Sequence, residues 1–421
     1  MSKILNITLS TCIAVNLLAV EIDEKRDRIH SVRKAVDSVG KLEKKDISVV
    51  DNFRKMFSDG KVSGQVRTIY AGYDQKEMAV KDTYATAIGG ILKYELAEYN
   101  GFNAGVAFYT SHDIGALTGS ADEQNPELSS SAGSYTDVSE AYINYRYEDL
   151  NLRAGRQTLD TPLADSDDIR MIQNTFEAYV ATYNFKGAEF IAGNIQSWQG
   201  IDAGLDDSWI DVGENGTNFG GVTYHDGLEF NAWYYNITEI TNAIYLDLGL
   251  EYKIDDNMMI HTVVQYLNET ELQSSGYSAN IYGALFEYVI HNIGFNIAFD
   301  KALKQKGASS FSGTGGGSMF TSMDTMIIDE IAEDRDALAV VAGISYSIND
   351  FGFLYAYGDF KGDENSLGIK AHIVEQDIGF EYNVNDEFVV AAIYVIEEDK
   401  ESAVKTQNDW NRAQVMVKYD F

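Results

Sequence analysis

One cysteine, Cys12, and two prolines stand in a chain of 421 residues. A lone cysteine excludes an internal disulfide and a cysteine-rich metal site. Basic side chains are scarce, 32 against 65 acidic ones, and the net charge of -33 counts against nucleic acid as a partner. Beyond residue 20 no apolar run is long and uninterrupted enough for a membrane helix. What is present is 36 glycines, 27 tyrosines, 20 phenylalanines and 45% apolar residues, which argues against disorder and for many short strands.

Residues 1–20 carry one charge, Lys3, and an interrupted apolar stretch from Ile4 to Leu18. This reads as a secretory signal peptide cut after Ala19 or Val20; a buried first strand or helix is the alternative. Leu9-Ser-Thr-Cys12 faintly resembles a lipoprotein site, which Thr11 fits poorly. Residues 21–58 are dense in charge and poor in glycine. Ile29, Val32, Val36 and Val39 give one helical stripe, and Ser48 caps a second helix carrying Val49, Val50, Phe53 and Phe57. We expect a helical periplasmic extension here, either an oligomerising or tethering segment or a solvated, partly ordered one.

From Val62 the period switches to two. Tyr84, Thr86, Ile88, Gly90, Leu92, Tyr94 and Leu96 are one such series; Ile244, Leu246, Leu248, Leu250 and Tyr252 are another; Ile293, Phe295, Ile297 and Phe299 a third. In each, one face is oily and the other polar or small. Eight tight turn signals, such as Asn100-Gly101, Lys186-Gly187 and Asp226-Gly227, alternate with nine longer connections that hold Pro126 and Pro162. Seventeen connections make eighteen strands. The short-long alternation is that of an up-and-down antiparallel barrel with short periplasmic turns and long outer loops. Strands in hydrocarbon leave no edge unpaired, so the sheet must close, with its oily face toward lipid and its polar face toward a lumen. Tyr94, Tyr99, Tyr147, Phe185, Tyr224, Tyr252, Tyr288, Phe351, Tyr382 and Phe388 lie beside the short turns, where an interfacial girdle belongs. The fold class is therefore all-β, a transmembrane barrel of residues 59–421 in the outer membrane.

At the end of the chain Ala413, Val415, Val417, Tyr419 and Phe421 alternate, and Phe421 is terminal. This resembles the strand that outer-membrane barrels present to the barrel assembly machinery, with Tyr419 and Phe421 as its signal. Asn151-Leu-Arg-Ala-Gly-Arg-Gln157 leads through Pro162 to Asp168-Ile-Arg170 and Thr175-Phe-Glu177. This segment resembles the third-loop region of OprD-type porins, more closely those of epsilonproteobacteria: Asp168, Arg170, Thr175 and Phe176 match, while Gln173 and Ala178 stand where Pro and Gly are usual. Lys61-Val-Ser-Gly-Gln-Val-Arg67 is similar to the family's first strand. The resemblance implies a third loop, 158–173, folded into the pore as a constriction, and a homotrimer in lipid and lipopolysaccharide.

Inward-phase Arg67, Lys93, Glu140, Arg146, Arg153 and Glu177, with loop residues Asp160, Asp165, Asp167, Asp168 and Arg170, are the candidate constriction and selectivity residues. In a narrow neck such charges are poorly screened, and opposite signs on opposite walls make a transverse field. The function expected is passive diffusion of small hydrophilic solutes and ions, without cofactor, leaning to cations or selective for amino acids or carboxylates. A plugged adhesin or structural barrel is the alternative. None of the six histidines sits in a recognisable serine or carboxylate motif, so no enzyme is expected. Loop pairs Asp122/Glu123 and Asp206/Asp207 lack calcium-loop spacing and read as solvated, so no metal is expected. Residues 309–318 read as mobile, and 319–331 as apolar enough to fold inward.

Overall fold

The computed structural model describes residues 49–120, 122–130, 132–205, 209–315, 317–401 and 409–421. The proposed signal peptide, most of the extension and the Asp206/Asp207 pair lie outside them. A helix, α1 (Val49–Ser58), precedes eighteen strands. The first nine are β1 (Lys61–Gln75), β2 (Thr83–Glu95), β3 (Phe102–Asp113), β4 (Ser134–Tyr147), β5 (Leu150–Gln157), β6 (Thr175–Phe185), β7 (Ala188–Gln199), β8 (Thr217–Asp226) and β9 (Leu228–Ile237). The second nine are β10 (Thr241–Asp255), β11 (Met258–Glu271), β12 (Ala279–Ile290), β13 (Ile293–Ala302), β14 (Ala337–Ile348), β15 (Phe351–Gly362), β16 (Ala371–Asn383), β17 (Phe388–Asp399) and β18 (Trp410–Asp420).

Each strand pairs antiparallel with its sequence neighbours, and β18 closes on β1 in the register Gln65↔Asp420 to Gln75↔Trp410. No edge is left in the wall, which is what the hydrocarbon demands. The seam is finished by Phe421, whose N–H and C=O both bond to Gly64 at 3.0 Å.

The alternation works as physics requires. Ile244, Leu246, Leu248, Leu250 and Tyr252 of β10 are all exposed, whereas Thr241, Ala243 and Tyr245 face inward and are buried. Tyr147, Phe185, Tyr252 and Phe351 are exposed beside the short turns as a girdle, and Phe351 stacks on Tyr382 at 4.5 Å. The short turns close with left-handed residues, as at Asn100 (φ 51°) and Gly101 (φ 84°), where a tight hairpin needs them. The connection between β9 and β10, taken as a long loop from sequence, is only the three residues 238–240.

The inside is filled from the extracellular end. The second loop (114–133), third loop (158–174) and seventh loop (303–336) turn into the barrel. Leu163 and Ala164 of the third loop join Met319, Met323, Met326, Ile328 and Ile331 of the seventh in one apolar cluster. Phe176, Phe219, Trp233, Tyr235, Phe360 and Ile373 of the wall complete it. Across the lumen Leu128, Met171 and Ile172 pack on Ile69, Tyr109 and Met416. Residues 319–331 fold inward as expected, but the described part of 309–318 corrects the sequence reading. Thr314 is buried and exchanges backbone hydrogen bonds with the third loop, N–H to Leu163 at 3.0 Å and C=O from Asp165 at 3.2 Å. Its glycines serve close packing: a Cβ on Gly315 would stand 2.5 Å from the Asp165 carbonyl.

Candidate functional site

The inward-folded loops are held by charge. Arg67, on β1 and buried, donates to Asp168 at 2.5 Å and to the Arg170 carbonyl at 2.6 Å. Arg170 lies 3.6 Å from Asp324 of the seventh loop and 3.9 Å from Glu127 of the second. Arg412, on β18 and buried, reaches the same two acids, Asp324 at 2.6 Å and Glu127 at 2.9 Å. Gln414 accepts from Arg412 at 2.6 Å and donates to the Ile169 carbonyl at 3.2 Å. Two wall strands and three loops thus share one network. Such buried pairs are costly to break from one side, because the remaining charge is left without its partner. In Glu127, burial pushes the carboxyl up, but Arg412, Arg170 and the Tyr73 hydroxyl outweigh it and hold it near 2.

A second group lies further down β2–β5. Lys93 pairs with Glu140 at 2.7 Å, and Glu140 accepts from Tyr109 at 3.0 Å. The Arg153 guanidinium lies 4.3 Å from the centre of the Tyr142 ring. Tyr109 also reaches Gln173 of the third loop at 3.3 Å, which joins the two groups.

Of the residues expected from sequence, Arg67, Asp168 and Arg170 meet in one network, and Lys93, Glu140 and Arg153 in its neighbour. Asp160, Asp165 and Asp167 form an acidic stretch on the third loop, where Asp160–Thr161 and Ala164–Asp165 make a small hairpin. Arg146 stands apart at the periplasmic rim, where its nearest acid is Glu98 at 3.9 Å. Glu177 is a correction. Phe176 and Ala178 are buried in the apolar cluster inside the barrel, so Glu177 takes the phase of the exposed Tyr179, in register with Arg156. The rule that apolar residues face lipid fails where a loop packs dry against the inner wall. Asp122 and Glu123 are occupied by Lys81, at 2.5 and 3.4 Å. Among the described residues no His, Cys, Asp and Glu group is arranged to hold a metal ion.

Sequence reading missed the other half of the wall. The seventh loop hangs on inward carboxylates. Asp300 accepts from the Thr321 N–H at 2.8 Å and hydroxyl at 2.7 Å, and Glu269 from the Phe311 N–H at 2.8 Å. Glu375 accepts from the N–H groups of Thr325 and Met326, at 3.1 and 2.8 Å. Asp377 and Glu397 also accept from this loop, from the Asp324 N–H at 3.2 Å and the Thr325 hydroxyl at 3.3 Å, and Glu381 is buried further along β16. Inward bases Arg67, Lys93, Arg153 and Arg412 belong to β1–β5 and β18, whereas these acids belong to β11–β17. The missed signal was inward parity: Glu375, Asp377 and Glu381 alternate with Gln376 and Ile378 along one strand.

The third-loop acids titrate within reach of ordinary conditions. Burial, with Asp165 and Asp202 beside it, raises Asp167 to about 7; burial and Asp160 raise Asp165 to about 6. Unfolded carboxyls titrate near ~3.9, so the folded loop holds these protons more tightly. That contribution to stability is full below the unfolded value and is lost as pH rises through about 6 and then 7. Lowering the pH from 8 to 5 is therefore expected to discharge the loop and weaken cation preference, read as reversal potential. Asp167→Asn should remove the upper step; an unchanged profile would refute the assignment.

A family model described as "outer membrane porin, OprD family" matches residues 55–420. The chain belongs to the OprD family of outer-membrane porins. Among solved structures, this porin superposes on Pseudomonas aeruginosa OpdK, solved with vanillate, with a TM-score of 0.75 and 16% identity over 87% of this chain and 99% of that one. Acinetobacter baumannii OccAB3 gives a TM-score of 0.74 at 14% identity, over 86% and 99% of the two chains. P. aeruginosa OpdQ gives 0.70 at 18%, over 87% and 99%. No curated protein matches the sequence. The porin crosses the outer membrane as an eighteen-stranded barrel and passes small solutes by diffusion. The plugged adhesin is not favoured.

Proposed function

We propose that this porin passes small hydrophilic solutes and ions through a neck bounded by the second, third and seventh loops, and that it prefers cations and zwitterions to anions. The observation that carries this is the division of the lumen. Arg67, Arg170 and Arg412 are each already ion-paired, whereas Glu269, Asp300, Glu375, Asp377, Glu381 and Glu397 gather on the arc β11–β17, which adjoins β18. In a narrow low-dielectric neck this arrangement leaves surplus negative potential across a transverse field. The vanillate of the OpdK structure is an anion, so solute charge separates the two pores.

On the same reading, residues 1–20 are a secretory signal and 21–58 a periplasmic extension. Tyr419 and Phe421 address the chain to the barrel assembly machinery, and the porin is a homotrimer without catalytic activity. Its nearer kin are the epsilonproteobacterial members, on the strength of the segment from Asp168 to Phe176.

The test is planar-bilayer recording of refolded porin in a potassium chloride gradient. The expected reversal potential has the cation sign, and Arg170→Ala, which frees Asp324 and Glu127 from one cation, should enlarge it. An anion-signed potential would overturn the preference, and an unmoved one in Arg170→Ala would remove that residue from the neck.

A further inference from the structure

The helix α1 stands outside the barrel wall and the pore. The family match begins at residue 55, so the first six of the ten residues of α1 precede it. The helix is pinned to the periplasmic rim of β2 and β3. The Met56 carbonyl accepts from the Ala97 N–H at 2.9 Å, the Phe57 carbonyl from the Tyr94 hydroxyl at 2.5 Å, and Asn52 donates to the Tyr99 hydroxyl at 2.9 Å. Gly60 permits this approach, since a Cβ there would meet the Tyr94 hydroxyl at 2.5 Å. Met56 is buried against the rim.

The next face of the helix is apolar and uncovered. Phe53 is 59% exposed and Phe57 49%, one turn apart, with ring centroids 5.4 Å from each other. The wall they adjoin is the lipid-facing one. Tyr94 follows Leu92 on the outward phase of β2, and Val62, Leu92 and Phe102 are each more than half exposed. Asp51, Arg54 and Lys55 occupy the remaining helix surface, Arg54 with 79% of its side chain exposed. A short helix with two aromatics on one face and basic groups on another, held at the level of an aromatic girdle, has the make-up of an interfacial helix.

We propose that α1 lies in the periplasmic leaflet beside the barrel, with Phe53 and Phe57 in the acyl boundary and Arg54 and Lys55 at anionic phospholipid headgroups. The apolar face thereby continues the lipid-facing belt of β1–β3, which is why lipid is the occupant argued for. The lipid anchor would fix the height of the barrel in the membrane.

Nitroxide labels test this on the full mature chain, reconstituted in vesicles of phosphatidylethanolamine and phosphatidylglycerol. Phe53→Cys and Arg54→Cys are labelled separately, and accessibility to oxygen is compared with accessibility to a water-soluble nickel chelate. A severalfold higher oxygen-to-nickel ratio at 53 than at 54 is the expected result. Equal, water-like ratios at both positions would overturn the proposal. A label at 53 shielded from both reagents would overturn it too, pointing to a second copy or to residues 21–48 as the cover. Channel recording of each variant separates this outcome from failure of the porin reading, since conductance is expected to be unchanged.

Discussion

Replacing Arg412 by alanine is expected to release the second and seventh loops together. Its guanidinium is buried, as is Asp324, and bonds Asp324 at 2.6 Å and Glu127 at 2.9 Å. The substitution leaves both acids with only Arg170, at 3.6 and 3.9 Å, and Glu127 with the Tyr73 hydroxyl. Removing one partner of a buried pair costs ~3–5 kcal/mol. At ~1.4 kcal/mol per factor of ten, that shifts docked against undocked loops by about a hundredfold or more. The barrel should still form, because its ladder does not involve this side chain. In single-channel recording we expect larger, fluctuating conductance and stronger cation preference, since two carboxylates lose their counter-charge. Arg412→Lys should recover part of the effect, as it restores the charge without the two-pronged geometry. Current levels and noise identical to those of the unaltered porin would refute the account.

Glu375→Ala should loosen the seventh loop from β16, two strands along the wall from Arg412. One carboxylate there accepts from the Thr325 N–H at 3.1 Å, the Thr325 hydroxyl at 2.5 Å and the Met326 N–H at 2.8 Å. Alanine strands two backbone donors beside a dry cluster, at ~1–3 kcal/mol each. The expected readout is limited proteolysis: cleavage within 303–336 in the variant, resistance in the unaltered chain. Glu375→Gln, which keeps one carbonyl acceptor, should fall between. Equal resistance in all three would show that the apolar packing of Met323 and Met326 alone holds the loop.

The two variants act on the same loop from β18 and β16, which flank β17, and their partners explain what was legible beforehand. Arg67, Asp168 and Arg170 could be singled out because each sits in a local pattern, a first strand or a third-loop motif. Arg412 could not. Its partners are 88 and 285 residues away in sequence, on loops whose path depends on the barrel having closed. The acidic wall was overlooked because Glu375, Asp377 and Glu381 sit in no local motif, and nothing beyond their parity marks them as hooks for backbone N–H groups. Glu177 was misplaced for the converse reason. Its neighbours Phe176 and Ala178 face inward to meet a loop that sequence periodicity does not see.

The sequence by itself determined the wall. Period-two alternation, turn residues able to take positive φ and the short-long rhythm of connections are local properties, and closure follows because hydrocarbon tolerates no free edge. From these came the strand count, the outward oily face, the girdle and the terminal strand that seals against β1. Tertiary structure alone decided the inside. Which loops enter, which acids meet which arginines, and which half of the lumen is left negative all depend on contacts between residues hundreds of positions apart. Those contacts arise only once the barrel brings opposite walls within reach of the same loops.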